Sequence, residues 1–73
     1  MAKKKIILCN SVADRREFLS LSQDDLAKRT GSTKCTIQAI EDNSLECSIR
    51  MALLISYVLD LPVNELFELY VSS

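Results

Sequence analysis

Glycine and proline each occur once in this chain, at Gly31 and Pro62. A structure rich in tight turns needs more of both, so the chain is confined to helices whose breaks can be read off directly. The sharper break is Gly31. Ahead of it, Ser22 is a good N-cap, and Asp24 and Asp25 suit the positive end of a helix dipole. The pattern predicts a helix from Gln23 to Thr30 that turns Leu26, Ala27 and Thr30 inward. Gly31 supplies the left-handed conformation that ends a helix, and Ser32 or Thr33 can cap the next one at once. Two helices of about eight residues, joined by a short turn containing glycine, make a helix-turn-helix unit over residues 22–42.

On the second of these helices, residues 33–42, Ile37 and Ile40 set the buried direction. Thr33 falls close to that direction and Thr36 and Glu41 on its flanks. Lys34, Cys35, Gln38, Ala39 and Asp42 occupy the outer arc.

The flanking segments read as follows. Ile6 to Cys9 is an apolar, β-branched run suited to a strand or a buried arm. Asn10 or Ser11 can cap a first helix running to about Leu19. Residues 42–48 form a loop, and Ser48 caps a helix from Ile49 to Leu59 in which nine of eleven residues are apolar. A helix apolar on every side must be buried on every side, and a single core of 73 residues has too little chain for that. A second subunit over residues 49–73 would supply the cover, with Leu54, Tyr57, Val58, Leu61 and Phe67 as its contacts. Pro62 suits the start of a short fifth helix, Val63 to Phe67. The ending alternates Phe67, Leu69 and Val71 against Glu68, Tyr70 and Ser72, the period of a strand. Its simplest mate is the segment 5–9, in a two-stranded antiparallel sheet that brings the termini together. The fold class is therefore mainly α, five helices in a single domain with a small terminal sheet.

Charge is informative only when the chain is divided. Residues 1–34 carry eight Lys or Arg against four Asp or Glu, and residues 35–73 carry one against six. A basic first half can follow a phosphate backbone while the acidic second half stays clear of it. Cys9, Cys35 and Cys47 are odd in number and have no CxxC pair, and the chain has no histidine, so neither a disulfide framework nor a metal site is expected. No apolar run reaches the length of a membrane span, and the opening MAKKKIILCNS is too short in apolar residues for a signal peptide. A cytoplasmic protein with reduced thiols is the expectation. Without histidine or a glycine-rich loop, no catalytic set or cofactor cradle assembles, and no small-molecule site is evident.

The stretch LSQDDLAKRTGSTKCTIQAIED, followed without insertion by SIRMALLISYVLDLPVNELF, resembles the Cro/CI-type, lambda-repressor-like helix-turn-helix family. The resemblance covers roughly residues 12–67. It implies a five-helix domain that binds double-stranded DNA as a homodimer and represses transcription. On this reading Gln23 donates to a phosphate, Thr33 holds a phosphate or a base, and Lys34 and Gln38 read base edges. Thr36 and Asn43 then contact the backbone, and Arg16 and Glu41 form an internal ion pair. Three positions depart from the family pattern. Cys35 stands where a hydrogen-bonding residue is usual, Ala39 offers no polar group, and Ser20 replaces a common glycine. Asn43 also sits where glycine or another small residue is usual, and Asp42 and Glu46 make the neighbouring loop acidic. Two other functions fit the same residues: a protein-interaction module that has lost DNA binding, or an antitoxin-like regulator. A redox role for Cys35, beside Lys34 in the first turn of a helix, is a further alternative to a small residue that touches a thymine methyl.

Overall fold

The computed structural model describes residues 5–72. Lys3 and Lys4, part of the basic first half, lie outside them. Five helices and two strands follow in the order β1 (Lys5–Asn10), α1 (Val12–Phe18), α2 (Gln23–Thr30), α3 (Lys34–Glu41), α4 (Ile49–Leu59), α5 (Val63–Leu66) and β2 (Phe67–Ser72). The fold is mainly helical, with β1 and β2 paired antiparallel in register from Lys5 opposite Ser72 to Asn10 opposite Phe67. The two terminal segments thus mate as their alternation predicts.

Each helix starts for a local reason. At α2 the Ser22 hydroxyl accepts from the Asp25 amide at 3.0 Å while the Asp25 carboxylate accepts from the Ser22 amide at 3.0 Å. This capping box satisfies two of the amides a helix start leaves free. The Ser22 amide, and after it the Ser22 hydroxyl, hold the Asp25 carboxyl below the usual carboxylate range. Thr33 caps α3 and Ser48 caps α4 by a single bond each, their hydroxyls accepting from the amides of Thr36 and Met51. The cap of Thr33 corrects its expected place near the core. A residue in extended conformation ahead of the first turn leaves the helical wheel, and Thr33 is exposed. At α1 the cap position is Ser11, yet its side chain makes no cap bond; Asn10 Oδ1 accepts from the Val12 amide at 3.2 Å instead.

Every helix contributes to one core: Val12 from α1, Leu26 and Ala27 from α2, Ile37 and Ile40 from α3, Ile55 and Leu59 from α4, and Leu66 from α5. Burying each large side chain contributes about 1.5–3 kcal/mol, against a conformational entropy cost of similar total size. Helix α5 is one residue shorter than its expected span, because Phe67 already has the extended backbone of β2 (φ −124°, ψ 131°).

On α4, Ile55 and Leu59 are buried, and Ile49, Leu53 and Tyr57 are 82%, 59% and 86% exposed. The uncovered part of this apolar helix is thus a single stripe at spacing four. Of the expected contact residues, Tyr57 is on the stripe, Leu54 is half-buried, and Val58, Leu61 and Phe67 pack partly against the chain's own core. Ile49 and Leu53 escape a reading by periodicity, since a helix apolar all round has no face to single out.

Gly31 ends α2 with φ 72°, and a Cβ there would meet nothing within 4 Å. Only the left-handed backbone restricts this position, which costs an ordinary L-residue about 1–2 kcal/mol. Gly31→Ala is expected to destabilise the domain by about that amount in urea unfolding, and Gly31→Asn by less, because asparagine tolerates this conformation. Equal losses for both variants would mean that space, not backbone, restricts the site.

Candidate nucleic-acid interface

Between α2 and α3 stand three residues, Gly31, Ser32 and Thr33. The turn is closed by the Ser32 amide donating to the Ala27 carbonyl at 2.8 Å. Inside it the Thr30 hydroxyl donates to the Leu26 carbonyl at 2.8 Å and lies 3.0 Å from the Ser32 hydroxyl. The buried Thr30 side chain is therefore satisfied. A rigid turn of this kind fixes how α3 leaves α2.

Helix α3 is held from within and open on its outer side. Ile37 and Ile40 anchor its inner face, as their spacing predicts. Lys34, Cys35 and Gln38 are exposed, and among the described residues none of their side chains enters a hydrogen bond or ion pair. Lys34 and Gln38 are one turn apart and so present a cation and an amide side by side. The Thr36 hydroxyl lies 3.0 Å from that of Thr33, so the two share one bond at the helix start.

The far end of α3 is clamped by an ion pair. Arg16 Nε donates to Glu41 Oε2 at 2.8 Å and Arg16 Nη2 to Oε1 at 3.3 Å, a forked pairing of planar groups. Arg16 Nη1 donates to the Leu21 carbonyl at 2.8 Å, and Gln23 Nε2 to Glu41 Oε1 at 2.9 Å. The side chains of Arg16 and Glu41 are only 12% and 8% exposed. The hydrogen bond to Glu41 raises the Arg16 pKa further, against the opposing effect of burial, so the guanidinium stays charged. Three elements thus meet at one carboxylate: α1, the start of α2 and the last residue of α3.

Gln23 differs in setting from its expected role as a free phosphate donor. One of its two amide hydrogens goes to Glu41, which leaves the other hydrogen and Oε1 for a ligand. Asn43 also has an internal partner. Its Oδ1 accepts from Asn10 Nδ2 at 2.8 Å, and the same Nδ2 donates to the Ile40 carbonyl at 3.0 Å. Asn10 was legible in the sequence only as a cap for α1. Its bonds reach 30 and 33 residues along the chain, and no local signal announces them.

The acidic rim behind α3 is ordered. The Ser44 hydroxyl and then its amide hold the Asp42 carboxyl below its usual range, the amide donating to Asp42 Oδ1 at 2.8 Å. Glu46 is exposed beyond it. Beside the turn, Thr30, Gly31, Ser32, Ser48, Arg50, Met51 and Leu54 line a cleft of about 280 Å³. Cys9, Cys35 and Cys47 are free thiols. Among the described residues no group of three or more His, Cys, Asp or Glu could hold a metal ion, and no helix is long and apolar enough to cross a membrane.

No protein-family model matches this chain, and no curated protein matches it.

Proposed function

We propose that the chain is a sequence-specific DNA-binding regulator of the Cro/CI, lambda-repressor-like type, acting as a repressor. In this reading α3 enters the major groove of a palindromic operator, and a homodimer spans half-sites about 34 Å apart. The observation that carries it is the division of α3. Its inner face and C-terminal end are locked by Ile37, Ile40 and the Arg16–Glu41–Gln23 cluster, while Lys34, Cys35 and Gln38 project free from its outer face. A reading element needs that combination, since free polar ends read bases only when their helix is held in place.

Backbone geometry adds support. Ser20 and Asn43 occupy the two positions where the resemblance puts glycine or a small residue, and both take left-handed conformations, with φ 58° and 63°. A left-handed residue just past a helix end is a common way for a helix to stop, and Gly31 and Asp60 do the same after α2 and α4, so the agreement with the resemblance lies in the two positions and not in the conformation itself.

Within the proposed complex Lys34 reaches guanine O6 and N7, and Gln38 pairs with adenine N6 and N7. Cys35 sits between them as a small apolar contact for a thymine methyl. Gln23, Thr33, Thr36 and Asn43 position the helix on phosphates through the hydrogen-bonding capacity their internal bonds leave over.

Selection of bound DNA from a random pool tests the reading. One enriched palindromic motif is expected, with affinity that falls steeply with salt. Gln38→Ala is expected to cost about 1–3 kcal/mol at one base position and to relax preference there alone. A pool that yields no enriched motif would sink the proposal and favour the protein-interaction module.

A further inference from the structure

The ribbon formed by β1 and β2 has two unlike faces. Because directly opposed residues share a face, Ile6 with Val71, Leu8 with Leu69 and Asn10 with Phe67 lie on one side. Apart from Asn10 at its foot, that side is wholly apolar. Ile6, Leu69 and Val71 on it are 65%, 66% and 62% exposed. The opposite side carries Cys9, Glu68 and Tyr70, with the Tyr70 hydroxyl donating to Glu68 Oε2 at 2.6 Å.

The ribbon also stands away from the helices. The molecule measures 46 × 21 × 20 Å with a radius of gyration of 13.0 Å, where a compact chain of this length has about 11 Å. Six residues of strand extend about 20 Å, enough to account for the extra length. Two strands alone are marginal in water, and become stable when their apolar face is packed against something.

We propose that a second copy of this chain packs its own ribbon on this face, Ile6, Leu8, Leu69 and Val71 of one protomer against the same residues of its partner. The inference deepens the homodimer of the proposed function by naming its surface, and rests on that reading only for the use the dimer is put to. Three observations favour self-association over another partner. The face carries no charge, so two copies meet without repulsion and offer a differently charged protein nothing to pair with. Both strands present aliphatic residues at facing positions, so a two-fold axis brings like to like, the self-complementary contact that closed dimers need. Its exposed area, on the order of 400 Å² per copy, lies in the range of apolar patches that mark contact sites on single chains. Two such faces bury about 800 Å², which places the dimer at the weak end of specific interfaces.

Sedimentation equilibrium of the full chain without DNA tests this. A monomer–dimer equilibrium is expected in the micromolar range. Leu69→Lys is expected to weaken it at least tenfold, and the milder Leu69→Ala, which keeps an apolar strand, several-fold. Tyr70→Lys, on the other face of the same strand, is expected to leave it unchanged. Circular dichroism of each variant reports whether the helices are intact. A wild-type chain that stays monomeric at several hundred micromolar overturns the proposal. So does a dimer that survives Leu69→Lys and Leu69→Ala, or one that dissolves instead with Leu53→Lys on the exposed stripe of α4. A ribbon dimer that selects no DNA motif leaves this inference standing and removes the proposed function.

Discussion

Glu41→Ala is expected to destabilise the domain by about 3–5 kcal/mol, the range seen when one partner of a buried ion pair is removed. The substitution deletes the acceptors of Arg16 Nε, Arg16 Nη2 and Gln23 Nε2 together, and leaves a guanidinium that is only 12% exposed with no counter-charge but that of Glu17, 3.9 Å away and itself 70% exposed. A domain of 73 residues has roughly 4–11 kcal/mol of total stability, so the variant is brought to the edge of unfolding at room temperature. Urea unfolding followed by circular dichroism measures the loss. The paired replacement Arg16→Met with Glu41→Leu separates attraction from desolvation. It is expected to recover most of the stability, because an apolar pair of similar volume carries no desolvation cost. It is not expected to recover in full the DNA selectivity proposed for the chain, since the Gln23 bond to Glu41 that joins α2 to α3 is still missing. A loss below about 1 kcal/mol in Glu41→Ala would mean that water reaches the guanidinium and that the cluster is not a clamp.

The second large effect is expected at the inner face of α3. Ile37 is completely buried, and Ile37→Ala removes three carbons from a core too small to close over the gap, at a cost of about 2–5 kcal/mol. Ile37→Val is expected to cost about 0.5–1.5 kcal/mol. Two positions away on the outer arc, Cys35→Ala is expected to stay within about 0.5 kcal/mol, as exposed substitutions usually do. The graded series distinguishes a packed inner face from a loosely docked helix, for which all three variants would differ little in their urea midpoints.

What was legible in the sequence were features governed by neighbours along the chain. Helix α2 runs over its expected residues because Ser22, Asp25 and Gly31 specify its two ends locally. The β1–β2 pairing could be anticipated from two alternating segments with no other mate. Ion pairing of Arg16 with Glu41 was reached only through the family resemblance, and the structure adds the Gln23 and Leu21 bonds that a wheel diagram cannot supply. Other features were out of reach for one shared reason. Asn10 bonding to Ile40 and Asn43, and Arg15 bonding to the Leu59 carbonyl at 2.9 Å, join residues more than 25 positions apart. Their side chains have the same local appearance whether they face a partner or solvent. The exposed stripe of α4 was hidden for a different reason, since a helix with nine apolar residues in eleven gives little periodic signal to mark its outside.

Arg15 and Arg16 are neighbours on one turn of α1, yet each turns back into the protein. Arg15 seals the carbonyl end of α4 and lies over the Phe18 ring, and Arg16 grips the end of α3. Of the eight cations in the basic half, Arg16 is therefore spent on an internal carboxylate, and Arg15 offers a polyanion only the part of its guanidinium that the α4 carbonyls leave free. For a protein that reads DNA, fewer released counterions mean weaker attachment to bulk sequence. On the proposed function, the sequence-independent part of the affinity is then small, and the preference for one site would rest on the base contacts of α3.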